Sequence, residues 1–252
     1  MKRVMLTVAY DGTNYHGWQL QPNVTTIESV LNEALSALLR EDIRVIGASR
    51  TDTGVHALGN IAVFDTQARM PAEKFSYALN QRLPEDVRIQ ASREVPVDFH
   101  PRRQDSRKTY EYKILNSAFP MPVYRLYSHF TYVPLDIVKM RRAADYLKGE
   151  HDFRSFCSVY TTAETTVRTI YDINVEKAGD LIAIQVTGSG FLYNMVRIIA
   201  GTLMEVGRGN LSPEKMDEII AACDRTKAGP TAPACGLTLV KYEFTGENGQ
   251  SV

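Results

Sequence analysis

The sequence predicts an α+β fold in which one order of elements, β-α-β-β-α-β, occurs twice. Short apolar runs of strand length alternate with apolar stripes of helical period over residues 1–104. The same succession returns in residues 105–252. Because each succession matches the split β-α-β arrangement, we predict two ferredoxin-like halves with mainly antiparallel sheets. We expect the halves to be related by a pseudo-twofold axis and to meet at a central cleft, a common place for a site.

The first half begins with an apolar run from Val4 to Tyr10 that predicts a strand. Thr25 and Glu28, three residues apart, predict a capping box at the start of a helix. A second helix is predicted to open at Pro71, because proline is tolerated at a first helical position. The apolar stripe of the first helix consists of Ile27, Val30, Leu31, Ala34, Leu35, Leu38 and Leu39. The remaining strands are predicted at 43–48, 57–66 and 87–95.

The second half follows the same order with an insertion. A strand near 107–115 precedes a segment rich in proline and tyrosine, and a helix is predicted at 135–148. Strands near 166–175 and 180–188, further helices and a last strand near 237–243 complete this half. The second half is therefore expected to supply the other wall of the cleft.

The composition limits the possible classes of protein. A chain of 252 residues with 44% hydrophobic content can bury a sizeable core. Its 29 Lys and Arg residues balance 29 Asp and Glu residues, so any surface that binds a polyanion must be a local patch. The three cysteines are odd in number and lack C-x-x-C spacing, which argues against a disulfide framework or a zinc site. Because no run reaches the length of a membrane span, we expect a soluble, cytoplasmic protein.

A glycine-containing loop between two predicted strands holds the most informative residues. In the segment from Ser49 to His56, Asp52 follows Arg50 by two residues. Loops at strand ends commonly present functional side chains. An arginine two residues before an aspartate, on the same side of an extended chain, would keep the carboxylate ionised by charge pairing. Such a carboxylate suits a nucleophile or an electrostatic stabiliser.

The motif GASRTDTGVHA, residues 47–57, resembles the active-site loop of the TruA family of tRNA pseudouridine synthases. Other blocks typical of the family occur in order along nearly the whole chain. They are YDG at 10–12, GWQ-x-QP at 17–22, FHPR at 99–102, RKTYEY at 107–112, GEHDF at 149–153, GFLYNMVR at 190–197 and GLTL at 236–239. The departures are mild: Tyr15 replaces the commoner Phe, Ile27-Glu28 replaces Val-Gln, and Pro101 stands where Ala is frequent.

The resemblance implies an isomerase that converts uridine to pseudouridine at positions 38, 39 and 40 of the tRNA anticodon stem-loop. The reaction breaks the bond from C1′ to N1, turns the uracil and joins C5 to the same sugar carbon. It needs no redox change, so we expect no cofactor, no bound nucleotide and no metal. Family behaviour also implies a homodimer that grips one tRNA, with the target base turned out of its stack.

The family pattern assigns the central roles residue by residue. Asp52 is the catalytic residue, although the sequence leaves open whether it attacks C1′ or removes a sugar proton to give a glycal. Arg197, on a helix predicted to begin at Phe191, is expected to form a salt bridge to Asp52. Tyr110 corresponds to the tyrosine that stacks on uracil and helps to remove the C5 proton.

Two further residues receive roles as substrate contacts. Arg50 either pairs with Asp52 or enters the space that the flipped base vacates. Leu237 corresponds to an apolar residue that lines the base pocket. Each assignment has a plainer alternative, because an Asp-Thr-Gly often caps a turn and surface arginines are usually only solvated. Likewise, a strand tyrosine or leucine usually belongs to the core.

Five cations cluster in an otherwise neutral chain. They are Arg102, Arg103, Arg107, Lys108 and Lys113. Contact with tRNA phosphates requires such a cluster, although charged connectors also occur on plain surfaces. His56 and His151 lack the spacing of metal ligands, so both are expected to be structural. We expect His56 to brace the loop and His151 to lie at the surface or at a helix end.

Three competing interpretations are weaker. Asp52-Thr53-Gly54 matches the aspartic-protease signature, but the chain has no second copy, and Arg50 would oppose a proton shared between two carboxylates. A non-catalytic RNA-binding protein could use ferredoxin-like units, yet no aromatic-rich RNA-recognition motif is present. Gly188-x-Gly190 before a helix suggests a dinucleotide loop, but the order of elements is wrong for one.

Overall fold

A computed structural model describes residues 1–246. The backbone contacts divide the chain into two compact units. The first unit is Met1–Ser106 together with the described residues from Leu239 onward. The second unit is Arg107–Thr238. Within residues 1–246, no helix is both long and apolar enough to cross a membrane.

The elements of the first unit follow the predicted β-α-β-β-α-β order. They are β1 (Lys2–Tyr10), α1 (Ile27–Leu39), β2 (Ile46–Gly47), β3 (His56–Thr66), α2 (Phe75–Asn80) and β4 (Val87–Val95). In the sheet, β1 lies between β4 and β3 and is antiparallel to both, and β2 pairs antiparallel with the other side of β3. This order, β4-β1-β3-β2, is the split β-α-β arrangement that the sequence predicts.

Helices and the sheet of the first unit share an apolar core. Ile27, Leu31 and Leu35 of α1 are fully buried, in keeping with one stripe of helical period. The rings of Phe64 in β3 and Phe75 in α2 meet edge to face, with centroids 5.3 Å apart. A separate cluster contains Met5, Ala48, Ile61, Val63, Val95 and Tyr242. Both clusters include residues of β3, the strand that begins directly after the loop of Asp52.

Three expectations for the first unit need correction. The N-cap of α1 is Thr26, whose hydroxyl accepts from the Ser29 N–H at 3.2 Å, so the predicted Thr25 and Glu28 box is wrong by one residue. The strand expected at 43–48 contains only β2, Ile46–Gly47. The helix expected from Pro71 begins as a 3-10 turn at Ala72–Lys74 before α2.

The second unit repeats the beginning of this order with additions. Its elements are β5 (Ser106–Asn116), β6 (His129–Thr131), α3 (Ile137–Asp145), β7 (Gly149–Asp152), β8 (Val167–Ala178), β9 (Leu181–Gly188), α4 (Met195–Gly207) and α5 (Lys215–Ala222). The strand β10 (Leu237–Phe244) starts at the end of this unit. The sheet runs β5-β9-β8-β7 with antiparallel pairs, and the short β6 adds to β5 in parallel.

If the added strands β6 and β7 are left out of the count, the two units share the strand order first, third, second, as β1-β3-β2 and β5-β9-β8. The predicted α+β class and the mainly antiparallel pairing are confirmed. The helix expected from Phe191 instead begins at Met195, because Asn194 adopts a left-handed conformation with φ 62°. His151 lies in β7 and not at a helix end.

Candidate active site

The loop that carries Asp52 joins β2 to β3 and turns sharply. The Val55 N–H donates to the Asp52 carbonyl oxygen at 3.1 Å, and Gly54 has φ +76°. This is a left-handed conformation that favours glycine. Asp52 is partly buried, whereas Arg50 is exposed. The turn therefore presents a partly buried carboxylate from the loop between β2 and β3.

The N-terminal segment braces this loop at three points. The Trp18 N–H donates to the Thr51 oxygen at 3.0 Å, and the Gly54 N–H donates to the Tyr15 oxygen at 3.2 Å. The Gly12 N–H donates to Nδ1 of the buried His56 at 3.0 Å, which confirms the expected bracing role of His56. Asp11 Oδ1 also lies 3.1 Å from this nitrogen. Because a backbone N–H can only donate, Nδ1 is the acceptor, and the approach of Asp11 is not a hydrogen bond in that tautomer.

Glycines allow this contact between segments. A Cβ on Gly12 would lie 2.1 Å from the Val55 oxygen, and a Cβ on Gly17 would lie 2.6 Å from the Thr51 oxygen. Gly17 also has φ +79°, which few other residues adopt. A Cβ on Gly47 would overlap the Trp18 ring at 2.2 Å from Nε1. The glycines of the YDG, GWQ and GAS blocks therefore bring two backbones together around Asp52.

Cations gather on the exposed side of the loop. Arg102 donates from Nε to the Gly47 oxygen at 2.8 Å, although most of its side chain is exposed. Burial of the anchored end lowers the pKa of Arg102, and the nearby charge of Arg50 lowers it further. Within residues 1–246, Arg50 forms neither a hydrogen bond nor an ion pair. The ion pair of Arg50 with Asp52, one of the two roles considered for Arg50, is therefore not formed in this structure.

In the second unit, Arg197 is held at the start of α4. Its Nε donates to the Ala232 oxygen at 2.7 Å, and Nη1 donates to Asn194 Oδ1 at 2.8 Å. Asn194 is the left-handed residue that precedes α4, so its conformation also places this acceptor. Arg197 is partly buried, whereas a solvated arginine was the plainer alternative. Two fixed acceptors make the guanidinium a preorganised group.

A loop at 228–233, here called the strap, lies directly on α4. A Cβ on Gly201 would lie 1.8 Å from the Pro230 oxygen, so only glycine allows this approach. The Gly229 N–H donates to the Thr202 hydroxyl oxygen at 2.9 Å. The strap therefore covers the face of α4 that carries Gly201 and Thr202. Residues 195–207 are buried almost throughout.

Tyr110 and Leu237 belong to the same region of the second unit. Tyr110 is buried in β5, and its ring meets Phe191 edge to face with centroids 5.2 Å apart. Leu237 is also buried, and a Cβ on the preceding Gly236 would lie 2.8 Å from both the Lys113 oxygen and the Tyr112 ring. The chain before Leu237 is thus packed onto β5.

Tyr112 links Arg197 to this group. The Tyr112 hydroxyl donates to the Pro233 oxygen at 2.9 Å. Burial raises the pKa of Tyr112, and the positive charge of Arg197 partly opposes that rise. Tyr112 of β5 thus contacts the chain just before Leu237 and lies within the electrostatic reach of Arg197.

The predicted phosphate contacts lie in both units. Arg103 and Arg107 are exposed, and Lys108 is partly buried. Arg107 places its guanidinium over the Tyr171 ring, 4.7 Å from the centroid. Tyr171 was missed from the sequence because it occupies a register shift in β8, between Ile170 and Asp172, which periodicity does not reveal. Within residues 1–246, no group of three or more His, Cys, Asp or Glu side chains could hold a metal ion.

A family model described as tRNA pseudouridine synthase matches residues 6–102 and 143–245. The chain belongs to the tRNA pseudouridine synthase family, and it is an isomerase that converts uridine to pseudouridine in tRNA.

Individual relatives are similar over nearly their full length. The tRNA pseudouridine synthase A of Ruminiclostridium cellulolyticum is 50% identical over 97% of this chain and 100% of its own. That of Thermoanaerobacter sp. (strain X514) is 48% identical over the same shares. That of Brevibacillus brevis is 47% identical over 95% of this chain and 98% of its own. A solved Cbf5-Nop10-Gar1 complex aligns with 17% identity and a TM-score of 0.35 over 80% of this chain and 45% of its own, too distant to support an argument.

Proposed function

We propose that this chain isomerises uridines 38, 39 and 40 of the tRNA anticodon stem-loop with Asp52 as the catalytic carboxylate. The observation that carries the proposal is the bracing of the Asp52 loop by the backbones of Trp18 and Tyr15. A carboxylate that is already ordered can meet a ribose carbon at little further entropic cost. Positioning of this kind lowers the barrier of a step that needs neither redox change nor cofactor.

The chemistry at C1′ requires a carboxylate close to it, because this carbon becomes electron-poor as the bond to N1 breaks. Asp52 either attacks C1′ to form a covalent sugar ester or removes a sugar proton to give a glycal. In both routes the freed uracil turns and C5 bonds to C1′. The proton lost from C5 balances the proton gained at N1, so the overall change is an isomerisation.

The other site residues hold and align the substrate in this proposal. Tyr110 stacks on the uracil and assists the removal of the C5 proton. Leu237 lines the apolar side of the base pocket. Arg197 pairs with the Asp52 carboxylate and keeps it ionised, since its two fixed acceptors leave little freedom to the guanidinium. Arg50, exposed beside the loop, enters the space that the flipped base vacates.

Contacts with the tRNA backbone are assigned to four cations. They are Arg102, Arg103, Arg107 and Lys108. The charge of Arg50 lowers the pKa of Arg102, and those of Arg103 and Arg102 add to burial in lowering the pKa of His100. These positive groups of the first unit repel one another, and a polyanion relieves that repulsion. Local positive charge of this kind offsets the absence of net charge on the chain.

The resemblance to the family supports a proposal for the assembly and the compartment. A homodimer that grips one tRNA across both subunits is the arrangement that the resemblance implies. A cytoplasmic location agrees with the three cysteines, Cys157, Cys223 and Cys235, which are all free thiols. Light scattering with and without tRNA measures the subunit number directly.

The test is a map of pseudouridine in tRNA from cells in which the gene is deleted, restored, or restored as Asp52→Asn. We expect pseudouridine at positions 38, 39 and 40 to disappear in the deletion, to return with the intact gene and with Asp42→Asn, and to stay absent with Asp52→Asn. Asp42→Asn is the matched control, because Asp42 is exposed and lies before β2. Full modification in the deletion, or in the Asp52→Asn strain, contradicts the proposal.

A further inference from the structure

A buried amide lies behind the loop of Asp52. Asn60, in β3, has no exposed surface. Its Oδ1 accepts from the Ser49 N–H at 3.2 Å and the Ile61 N–H at 2.9 Å. Its Nδ2 donates to the Ser49 oxygen at 2.9 Å and to the Tyr10 hydroxyl oxygen at 3.2 Å. Two donors and two acceptor positions are the full capacity of an amide, so Asn60 is saturated.

The Asn60 side chain replaces a strand backbone. The pairing of β2 with β3 ends at Gly47, after which the Ala48 N–H donates to the Ile61 oxygen at 2.8 Å. At the next residue, Ser49, both backbone groups are bonded to the Asn60 amide instead of to another strand. The ordered structure is thereby extended by one residue toward Arg50.

An irregularity in β3 makes this contact available. In the pairing with β1, Val8 is opposite Asn60 while Tyr10 is opposite Ala57, so β3 holds one extra residue between these pairs. An extra residue breaks the alternation of side chains and redirects them. Asn60 is the first residue of β3 in regular register with β1 after this irregularity, and it lies in a run, 60–64, that is buried throughout.

Tyr10 carries the network to the other side of Arg50. Its hydroxyl lies 2.7 Å from the Thr51 hydroxyl, deep in the first unit. The Tyr10 hydroxyl thus contacts both Asn60, which donates to its oxygen, and the Thr51 hydroxyl. Burial raises the pKa of Tyr10, so its hydroxyl proton is retained at neutral pH. The Thr51 backbone is held as well, by Trp18.

We propose that Asn60 and Tyr10 are positioning residues for the isomerisation, because they fix the two neighbours of Arg50 and thus the direction in which Arg50 and Asp52 leave the backbone. A fully satisfied buried network specifies one geometry, whereas a half-satisfied one is costly. This inference rests on the proposed role of Asp52. It adds a separate claim, that the loop geometry depends on a side-chain amide.

The test compares two asparagines. Asn116, in β5, is also buried; its amide donates to the oxygens of Thr131 at 3.1 Å and Val133 at 2.8 Å and accepts from the Leu135 N–H at 3.2 Å. Asn60→Ala and Asn116→Ala therefore remove similar numbers of buried hydrogen bonds. We expect Asn60→Ala to lower the single-turnover rate constant at saturating tRNA about 100-fold, with tRNA affinity nearly unchanged.

Asn116→Ala is expected to unfold at lower urea concentration yet keep the wild-type rate constant. Equal losses of rate in the two variants, or a rate for Asn60→Ala within about threefold of wild type, overturn the inference. If Asn60→Ala does not fold, Tyr10→Phe takes its place, since it removes only one hydroxyl. We expect Tyr10→Phe to lower the same rate constant about tenfold; an unchanged rate overturns the inference.

Hydrogen exchange separates this inference from the proposed function. The backbone N–H of Ser49 should exchange faster with solvent in Asn60→Ala, whatever the role of Asp52. Unchanged exchange there contradicts positioning by Asn60 even if Asp52→Asn abolishes turnover. Conversely, faster exchange together with an active Asp52→Asn variant supports the positioning network and rejects the catalytic assignment.

Discussion

Arg197 and Ala232 hold each other by two hydrogen bonds that run in opposite directions. Arg197 Nε donates to the Ala232 oxygen at 2.7 Å, and the Ala232 N–H donates to the Arg197 oxygen at 3.1 Å. The first helical turn of α4 and the strap are thus joined at both side-chain and backbone level. The position of the guanidinium consequently depends on how closely the strap lies on α4.

We expect Gly201→Ala to destabilise the protein, although alanine is the better helix former. The added Cβ would lie 1.8 Å from the Pro230 oxygen, which is backbone and cannot rotate away. The free energy of unfolding should fall by about 1–3 kcal/mol, more than the ~1 kcal/mol gained from helix propensity. Urea unfolding measures this change.

Gly190→Ala is the control for Gly201→Ala. A Cβ on Gly190 would meet only the Arg168 side chain, at 3.8 Å from Nε and 3.9 Å from Cδ, which is ordinary contact. Its free energy of unfolding should stay within about 0.5 kcal/mol of wild type. If the Gly201→Ala protein were as stable as the Gly190→Ala protein, the strap would have to move away from the added methyl group without lowering the free energy of unfolding.

The stacked pair of Arg107 and Tyr171 should contribute to tRNA affinity in a salt-dependent way. Arg107→Gln removes one cation, so the slope of log affinity against log salt concentration should fall by about 1. Tyr171→Leu keeps the charge and removes the ring that holds it, so affinity should fall with little change in slope. Filter binding over a series of salt concentrations gives both quantities.

Lys74 provides the matched control for Arg107. Its Nζ lies 5.4 Å from the centroid of the Tyr77 ring, in another stacked pair, and no RNA contact is assigned to it. Lys74→Gln should leave the salt slope unchanged. Equal slopes for Arg107→Gln and the wild type would remove Arg107 from the phosphate contacts.

Ser49 should behave differently from Asn60, which binds it. Its hydroxyl oxygen is buried, and within residues 1–246 it has no hydrogen-bond partner. Burial of an unpaired hydroxyl is unfavourable, so Ser49→Ala should leave the free energy of unfolding unchanged or raise it by up to about 1 kcal/mol. A loss of more than about 1 kcal/mol in thermal or urea unfolding would mean that the hydroxyl does have a partner.

The order of elements was predictable because apolar periodicity reflects burial directly. Residues 87–95 were predicted as a strand and form β4 with the same bounds. The N-cap residue of α1 was harder to predict, because the sequence fits a capping box in two registers. Glu28 accepts from the Leu20 N–H at 3.0 Å, and Ser29 completes the box with Thr26 instead. The Glu28 side chain is thus engaged with a residue eight positions earlier in the chain and takes no part in the capping box.

Side-chain acceptors also explain why β2 is short. The Ile43 N–H donates to Ser36 Oγ at 3.0 Å, and the Val45 N–H donates to Asn32 Oδ1 at 2.8 Å. These α1 side chains occupy donors that a longer strand would need, and no local pattern predicts them. The same holds for the candidate site. Motifs identified Asp52 and Arg197, whereas Asn60 is an ordinary strand residue until the tertiary contacts are known.

The interlocked glycines around Asp52 limit how this region can be redesigned. Gly12 and Gly17 allow two segments that are distant in sequence to contact each other through their backbones, and Gly47 allows its backbone to contact an indole ring. Neither segment can therefore change its conformation alone. In a mutant library confined to residues 49–55, only variants that keep the original backbone conformation of this loop would be recovered. A library intended to change the substrate specificity should therefore vary residues 10–19 and residues 49–55 together.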